Sequence, residues 1–301
     1  MQPTTGPLSA RQLPATQAGT LTLGGDLTVN RLGFGAMRIT GKGIWGPPED
    51  VPAAIATLRR AVELGVNLID TADSYGPGVS EELIAEALWP YPADLVVATK
   101  AGWTRHGPGV WQHNSSPTHL QQAVEGSLKR LRLERIDVYQ LHTPDPAVSF
   151  DASMETLARL REQGKIRHVG LSNVTLEHIH RAQKIVPIVN VQNRYSFSDR
   201  EWDFVVDYCA ANGIAFLPWG PMAQGRKANE VVEKIASVRQ VSTAVVSLAW
   251  LLRRSPVILP IPGTGNVKHL EENVSAAALR LTDAEFSEMN VVTPKPYSLR
   301  A

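Results

Sequence analysis

The 301-residue chain has little of what marks several common classes of protein. Its one cysteine, Cys209, cannot form an internal disulfide, which predicts a reducing compartment. Its net charge is +1, so it lacks the positive field that gathers nucleic acid. No apolar run approaches the ~20 residues that a membrane span needs. We therefore expect a cytoplasmic protein that binds neither nucleic acid nor membrane.

The first residues lack the features of a targeting segment. Met1–Thr20 carries neither the basic cluster nor the apolar core of a signal peptide. Its content of Pro, Gln, Thr and Ala predicts a disordered tail over residues 1–20. No linker-like stretch divides the rest, so residues 21–301 are expected to form a single domain.

Several catalytic motifs are missing as well. The chain has no G-x-S-x-G for a nucleophilic serine and no H-E-x-x-H for zinc, and we predict no metal site. No G-x-G-x-x-G follows the first predicted strand, because Arg38 stands where the third glycine should be. This absence argues against a Rossmann dinucleotide fold.

What the chain does contain is a regular alternation of apolar runs and amphipathic helices. Parallel strands need crossover helices, so the alternation predicts an α/β fold with a parallel sheet. Eight such units favour closure into a (β/α)8 TIM barrel, with an open doubly wound sheet as the alternative. The predicted strands are 32–37, 66–70, 95–100, 136–142, 167–172, 187–192, 214–219 and 257–261.

Other segments complete this prediction. Two short runs around a Gly-Gly-Asp turn, at Leu21–Val29, predict an N-terminal β-hairpin. Residues 101–116 are expected to be a long loop, and residues 228–253 one helix. Extra C-terminal helices are predicted at 266–278 and 283–290.

Three predicted strands end on polar residues: Asp70, Lys100 and His142, with Tyr75 in the loop after Asp70. Singly, each residue has a structural explanation, such as a turn cap or a surface charge. The carboxyl ends of barrel strands, however, converge on one face. The equivalent positions of these residues in successive units therefore favour a shared site.

The four side chains suit the protonation of a carbonyl oxygen. A phenol has a pKa of ~10, which the nearby ammonium of Lys100 is expected to lower. The carboxylate of Asp70 would keep that lysine charged, and the imidazole of His142 would orient the carbonyl. Such a group donates a proton as hydride reaches the carbonyl carbon. A Schiff-base role for Lys100, as in an aldolase, is the competing interpretation.

Several stretches match, in order, the motifs of one known family: Gly65–Leu88 with Asp70 and Tyr75, Lys100, Val138–His142, and Gly170–Asn173. Over residues 21–290 the chain resembles the aldo-keto reductases. The resemblance implies a monomeric barrel that binds NADPH and reduces aldehydes or ketones. It makes Tyr75 the acid, assigns its tuning to Lys100 and Asp70, and gives His142 the orientation of the substrate.

The resemblance also implies a cofactor site. Ser172, Asn173 and Gln192 would bind the nicotinamide amide, a trio that the Schiff-base interpretation leaves unexplained. Trp219 takes the place of a tyrosine on which the nicotinamide stacks. The other implied cofactor residues are Ala36, Met37, Asp70, Gly220, Pro221, Met222, Gly263, Thr264, Gly265, His269, Glu272 and Asn273.

One departure from the family pattern concerns the phosphate. Thr264 would contact the 2′-phosphate of NADPH, but His269 stands where an arginine is expected. Histidine is a weaker and pH-dependent partner for phosphate. We therefore expect a reduced preference for NADPH, with use of NADH open.

The substrate pocket is expected to have aromatic walls, made by Trp45, Trp103, Trp111 and His113, which suit a flat carbonyl compound. Loop anchoring is an equal alternative for the tryptophans. Gly33–Met37, Gly46–Pro48 and Leu248–Pro256 resemble the bacterial pyridoxal reductase branch of the family, which implies pyridoxal as a substrate. The contrasting hypothesis is a regulatory barrel of the channel β-subunit type, which binds cofactor with little turnover.

Overall fold

The computed structural model describes residues 13–221 and 226–291. The strands are β1 (Thr20–Leu23), β2 (Leu27–Asn30), β3 (Phe34–Gly35), β4 (Leu68–Asp70), β5 (Val96–Ala101), β6 (Trp103–Gly107), β7 (Val110–His113), β8 (Ile136–Leu141), β9 (Ile166–Ser172), β10 (Ile188–Gln192) and β11 (Ala215–Phe216). The helices are α1 (Val51–Glu63), α2 (Val79–Leu88), α3 (Pro117–Leu131), α4 (Phe150–Glu162), α5 (Leu176–Gln183), α6 (Asp203–Ala211), α7 (Arg226–Arg239), α8 (Thr243–Arg254), α9 (Val267–Ser275) and α10 (Asp283–Asn290).

The central sheet is a curled layer of seven parallel strands in the order β11-β10-β9-β8-β5-β4-β3. The helices that connect the strands pack against its outer face. Because the strands are parallel, the polar side chains at their carboxyl ends all lie at the same end of the barrel.

The predicted eighth strand, 257–261, is instead an irregular segment that bonds to both edges of the sheet. On one side Phe216 N donates to Val257 O at 2.9 Å. On the other, Gly33 N donates to Pro260 O at 2.9 Å and Gly35 N to Pro262 O at 3.3 Å. These bonds close the barrel. The two prolines have no N–H to return a bond, which explains why the segment is not a regular strand.

The β1–β2 hairpin forms where the sequence predicts it, with Leu23 paired to Leu27. Both leucines and Val29 pack with Leu68 and Val138 in a cluster inside the barrel. The hairpin lies against the amino ends of the strands, since Asn30 N donates to the Asn67 side chain just before β4 at 2.8 Å. It therefore fills the barrel at the end opposite the polar strand ends.

Part of the predicted N-terminal tail is ordered. Pro14–Ala18 is a 3-10 helix in which Ala15 and Ala18 are buried, and Ala15 N donates to Leu64 O at 3.0 Å. The small alanine side chains allow this close packing against the end of α1. The prediction of a disordered tail is thus wrong for residues 13–20. The rest of that stretch lies outside the described residues.

The predicted helix 228–253 is two helices, α7 and α8. Gln240 has a left-handed backbone with φ of 52°, and the Ser242 side chain accepts from Val245 N to start α8. A serine cap and a left-handed residue end one helix and begin the next. No single helix in the described part of the chain is long and apolar enough to cross a membrane. The two helices Glu230–Arg239 and Thr243–Arg254 are long and apolar enough only when taken together, and the chain bends by 99° between them.

The predicted loop 101–116 contains the antiparallel hairpin β6–β7. Trp103 pairs with His113, and Arg105 pairs with Trp111. The sequence signal was the turn Gly107-Pro108-Gly109 between two short alternating runs. The hairpin matters because it stands over the carboxyl end of β5.

Truncation of the hairpin core should destabilise the fold. Leu23 is buried in the barrel interior, so Leu23→Ala should lower the free energy of unfolding by about 2–4 kcal/mol. Leu13, which is 45% exposed, is the matched control, and Leu13→Ala should cost less than about 0.5 kcal/mol. Urea unfolding monitored by circular dichroism measures both. Equal losses of unfolding free energy in the two variants would contradict the conclusion that the hairpin side chains fill the end of the barrel.

Candidate active site

A buried ion pair lies at the centre of the carboxyl-end face. Lys100 is 0% exposed, and its Nζ lies 2.7 Å from Asp70 Oδ2 and 2.6 Å from Thr71 O. The other carboxylate oxygen of Asp70 accepts from Gln140 Nε2 and from Gln192 Nε2, each at 3.0 Å. Both charges are thus paired and hydrogen-bonded, the condition under which buried ions persist.

The pair keeps the lysine protonated. Burial by itself lowers the pKa of Lys100, but the charge and hydrogen bond of the Asp70 carboxylate, together with Tyr75, outweigh burial and leave the pKa above its ordinary value. The site therefore holds a permanent ammonium at neutral pH.

Tyr75 lies above this ammonium, with Lys100 Nζ 5.3 Å from the centre of its ring. The tyrosine is 7% exposed, and burial raises its pKa, while the charge of Lys100 offsets only part of that effect. The expectation that Lys100 brings the pKa of Tyr75 below its usual value is therefore wrong for the net shift. The phenol keeps its proton at neutral pH and is available as a neutral donor.

His142 follows directly after β8 and faces Tyr75. The two rings are edge to face, with centroids 5.8 Å apart and an interplanar angle of 82°. Ser74 Oγ lies 3.5 Å from His142 Nδ1. Burial, and then the charge of Lys100, hold the pKa of His142 well below its ordinary value. The imidazole is therefore neutral and carries one N–H donor and one acceptor.

A cavity of about 570 Å³ opens over these residues. Tyr75, His142 and Asp70 line it, whereas Lys100 lies beneath them, out of contact with solvent. The full lining is Gly35, Met37, Arg38, Asp70, Tyr75, Trp103, Trp111, His142, Ser172, Asn173, Gln192, Trp219, Gly220, Pro221, Ile261, Pro262 and Gly263. Most of the residues predicted for the nicotinamide end thus share one cavity with Asp70, Tyr75 and His142.

Asn173 organises the far wall of this cavity. It has a left-handed backbone with φ of 56°, which asparagine tolerates better than most residues. Its Nδ2 donates to His142 O at 3.0 Å, and its Oδ1 accepts from Trp219 Nε1 at 3.1 Å. Asn173 therefore ties the indole of Trp219 to the strand end that carries His142.

A second cavity, of about 470 Å³, adjoins the first at Gly263, which lines both. A Cβ atom on Gly263 would lie 2.3 Å from Gly35 O, so only glycine fits there. The predicted residues Thr264, His269, Glu272 and Asn273 line this cavity, together with Val232, Glu233, Thr243, Ala244, Ser247 and Gly263. The contributions from α7 and α8 were not predicted, because they depend on how those helices pack.

The first turn of α9 is already capped. Asn266 Oδ1 accepts from Lys268 N at 2.9 Å and from His269 N at 3.2 Å. Two backbone amides at this helix start are therefore occupied by Asn266 and are not open to a phosphate. Asn266, directly before α9, is the sequence feature that indicates this cap.

Some predicted residues lie elsewhere. Ala36 is buried, and its carbonyl accepts from Ser80 Oγ at 3.1 Å, so the cavity is lined by Gly35, Met37 and Arg38 instead. The cause is that β3 ends at Gly35 and the chain turns into a short 3-10 helix. Gly265 lines neither cavity, and Met222 lies outside the described residues.

The four aromatic residues predicted for the substrate pocket divide into two pairs. Trp103 and Trp111 line the cavity with their rings edge to face at 5.9 Å. His113 stacks on Trp103 at 4.1 Å, and Trp45 lies 5.9 Å from the guanidinium of Arg105. His113 and Trp45 therefore support the wall without lining the cavity.

The comparison with known proteins agrees with this geometry. The profile of the Aldo/keto reductase family matches residues 31–293. The chain belongs to the aldo/keto reductase family, as the sequence motifs predicted. Since the match covers most of the chain, barrel and site belong to one family unit.

Two curated relatives are similar over most of the chain. It is 48% identical over 278 residues to an uncharacterized oxidoreductase of Schizosaccharomyces pombe, a match that covers 92% of this chain and 90% of that protein. It is 42% identical over 284 residues to the pyridoxine 4-dehydrogenase of Escherichia coli, covering 92% and 99%. Among solved structures, the glycerol dehydrogenase of Gluconobacter oxydans is similar, with a TM-score of 0.81 and 27% identity, covering 94% of this chain and 99% of that one.

The neutral state of His142 predicts a pH dependence of stability. The unfolded chain binds a proton at this histidine below about pH 6.5, and the folded chain does not until a much lower pH. The contribution is therefore fully present above pH 6.5, and stability falls as the pH drops below it, by up to about 1.4 kcal/mol per pH unit. Urea unfolding at pH 7.5 and 5.5 should show a smaller loss in His142→Asn than in the wild type.

The control for this experiment is His180→Asn, a change at an exposed histidine. This variant should keep the wild-type difference between the two pH values. If His142→Asn also kept it, the imidazole would not be held neutral by its surroundings.

Proposed function

We propose that this protein is an NADPH-dependent reductase that converts an aldehyde or ketone to an alcohol, with Tyr75 as the proton donor. The observation that carries the proposal is the buried Lys100–Asp70 pair beneath Tyr75. Asp70, Tyr75 and His142 line one cavity. The proposed framework is a single domain, a (β/α)8 barrel in which the segment 257–262 takes the eighth strand position. The proposed state is a monomer, as the resemblance to the family implies.

The proposed cofactor fits the donor set of the described residues. A dinucleotide has two ends, and the two cavities meet at Gly263. Ser172, Asn173 and Gln192 would hold the carboxamide, since an amide needs both donors and acceptors. Trp219 offers a ring face for the nicotinamide. When bound, NADPH would supply the hydride.

Tyr75 would supply the proton. As the carbonyl carbon gains hydride, negative charge develops on its oxygen, and the phenolic O–H breaks to give the alcohol. The phenolate left behind lies above the Lys100 ammonium, which stabilises its charge. Asp70 keeps that ammonium fixed and protonated. Hydride and proton together account for the two hydrogens added to the carbonyl.

His142 would orient the substrate. A neutral imidazole can donate its N–H to the carbonyl oxygen while remaining uncharged. The edge-to-face contact with Tyr75 brings the two rings to the same side of the cavity. The carbonyl oxygen would thus receive two hydrogen bonds, one from each ring, before the reaction begins.

The preference for NADPH over NADH should be modest. Among the described residues lining the second cavity there is no lysine or arginine, while Glu233 and Glu272 contribute carboxylates. Thr264 and His269 are the partners available to a 2′-phosphate. Arg38 lines the first cavity near Gly263 and would face the pyrophosphate instead of the 2′-phosphate.

The proposed substrate class is flat aromatic aldehydes, with the reduction of pyridoxal to pyridoxine as the specific candidate. Trp103 and Trp111 give the cavity an aromatic wall, which suits a planar ring. The 42% identity to the pyridoxine 4-dehydrogenase of Escherichia coli supports the same choice. A regulatory barrel of the channel β-subunit type gains no support from the described residues.

Loss of the Tyr75 hydroxyl should reduce turnover far more than cofactor binding. Tyr75→Phe removes the proton donor, so kcat for pyridoxal should fall by at least about 10², the range for a lost general acid. The Kd for NADPH, measured by fluorescence titration, should stay within about twofold.

The matched control is Tyr208→Phe, which removes a hydroxyl that donates to Gln183 Oε1 at 2.7 Å far from the cavity. This variant should keep wild-type kcat. Normal turnover by Tyr75→Phe would show that the proton comes from another group.

An arginine at position 269 should strengthen discrimination by the 2′-phosphate. His269→Arg adds a bidentate donor to the second cavity, so the Kd for NADPH should fall about tenfold while the Kd for NADH changes little. Lys268→Arg, which keeps its charge beside the cavity, is the control and should change neither value. Equal gains for both cofactors would contradict a 2′-phosphate at this position.

A further inference from the structure

Arg105, in the middle of β6, is 9% exposed and has no role in the mechanism above. Its guanidinium has five N–H groups. Each is directed at a backbone carbonyl: Nε at Val110 O (3.0 Å), Nη1 at Ile44 O (2.9 Å) and Ser74 O (2.9 Å), and Nη2 at Gly43 O (2.9 Å) and Gly107 O (3.4 Å). No donor of Arg105 is left for a substrate anion.

These carbonyls belong to three separate segments around the cavity. Val110 and Gly107 lie in the β6–β7 hairpin, and Ile44 lies in the loop after β3. Ser74 directly precedes the proposed proton donor Tyr75. Arg105 therefore joins the hairpin, the first loop and the Tyr75 loop through one planar group.

The first loop is held in a strained form by the same contacts. Ile44 has a φ of 57°, which is strained for a residue with a branched Cβ. Its carbonyl accepts from Gly76 N at 3.3 Å as well as from Arg105. Gly46 N donates to Gly76 O at 2.7 Å, so this loop is tied to the residue after Tyr75.

Arg105 also fixes the aromatic wall. Its guanidinium lies over Trp111, 3.7 Å from the ring centre, and the two residues pair across the hairpin. A guanidinium on an indole face is a favourable cation–π contact. Trp103 contacts Trp111 edge to face, and His113 stacks on Trp103.

We propose that Arg105 is a positioning residue that sets the selectivity for flat aromatic carbonyls, by fixing Trp111 and the Tyr75 loop at the same time. This inference rests on the proposed reductase function. Lysine cannot replace it, because an ammonium has three donors and no planar face. Displacement of a reacting group by about 1 Å can cost 10²-fold in rate, so loosening this clamp should be visible in kinetics.

The test compares Arg105→Ala, Arg105→Lys and Arg59→Ala with the wild type. Arg59 is the matched control, because it is exposed and donates to one backbone carbonyl, Ala87 O, at 3.1 Å. Steady-state kcat and KM are measured with pyridoxal and with propanal at saturating NADPH, and the Kd for NADPH is measured by fluorescence titration.

The expected result is a loss of selectivity. For Arg105→Ala, kcat/KM should fall about 10²-fold with pyridoxal and at most about tenfold with propanal. The Kd for NADPH should stay within about twofold. Guanidinium chloride at millimolar concentration should restore part of the pyridoxal activity, and equal sodium chloride should not. Arg105→Lys should resemble Arg105→Ala, and Arg59→Ala the wild type.

Two results would overturn the inference: kcat/KM values within about threefold of wild type for Arg105→Ala, or equal losses with both aldehydes without rescue. If Arg105→Ala does not fold, the selectivity for pyridoxal over propanal is measured in Arg105→Lys and Trp111→Leu instead. Both should lose selectivity for pyridoxal, and unchanged selectivity in either would refute the inference. A wild-type protein that reduces neither aldehyde would instead refute the proposed function.

Discussion

The site depends on one buried ion pair. Lys100 and Asp70 lie on adjacent strands, and each satisfies the other only because parallel pairing of β4 and β5 sets their register. Removal of either partner would leave an unpaired charge in the barrel, at a cost of about 3–5 kcal/mol. Gln140 and Gln192, on strands farther along the sheet, complete the shell of Asp70. The carboxylate thus gathers four strands around a single point.

The two ends of the barrel differ in their side chains. The β1–β2 hairpin fills one end of the barrel with leucine and valine side chains, while the polar residues gather at the other. Closure of the sheet uses a segment whose prolines accept bonds and cannot donate them. That segment leads directly into Gly263, where the two cavities meet. The irregular strand and the junction of the two cavities are therefore parts of one stretch of chain.

The residues of the candidate site are recognisable in the sequence because Asp70, Lys100 and His142 each lie at the end of an apolar run. The structure brings these together with Tyr75. What local patterns could not give was the net pKa of Tyr75, since burial depends on packing and outweighs the nearby charge. They also missed the hairpin carrying Trp103, because a short exposed ribbon has a weak periodic signal. Ala36 was misassigned by a two-residue error in the end of β3.

The contacts of Arg105 have a consequence for how this fold can change over time. The guanidinium meets main-chain oxygens at all five positions, and every residue type presents the same oxygen. The contacts therefore do not depend on the side chains of Val110, Ile44 and Ser74, whereas Gly43, with a φ of 71°, is a position that favours glycine. Substitutions at those three positions can therefore accumulate outside the cavity over time while the backbone frame that holds the Tyr75 loop is kept.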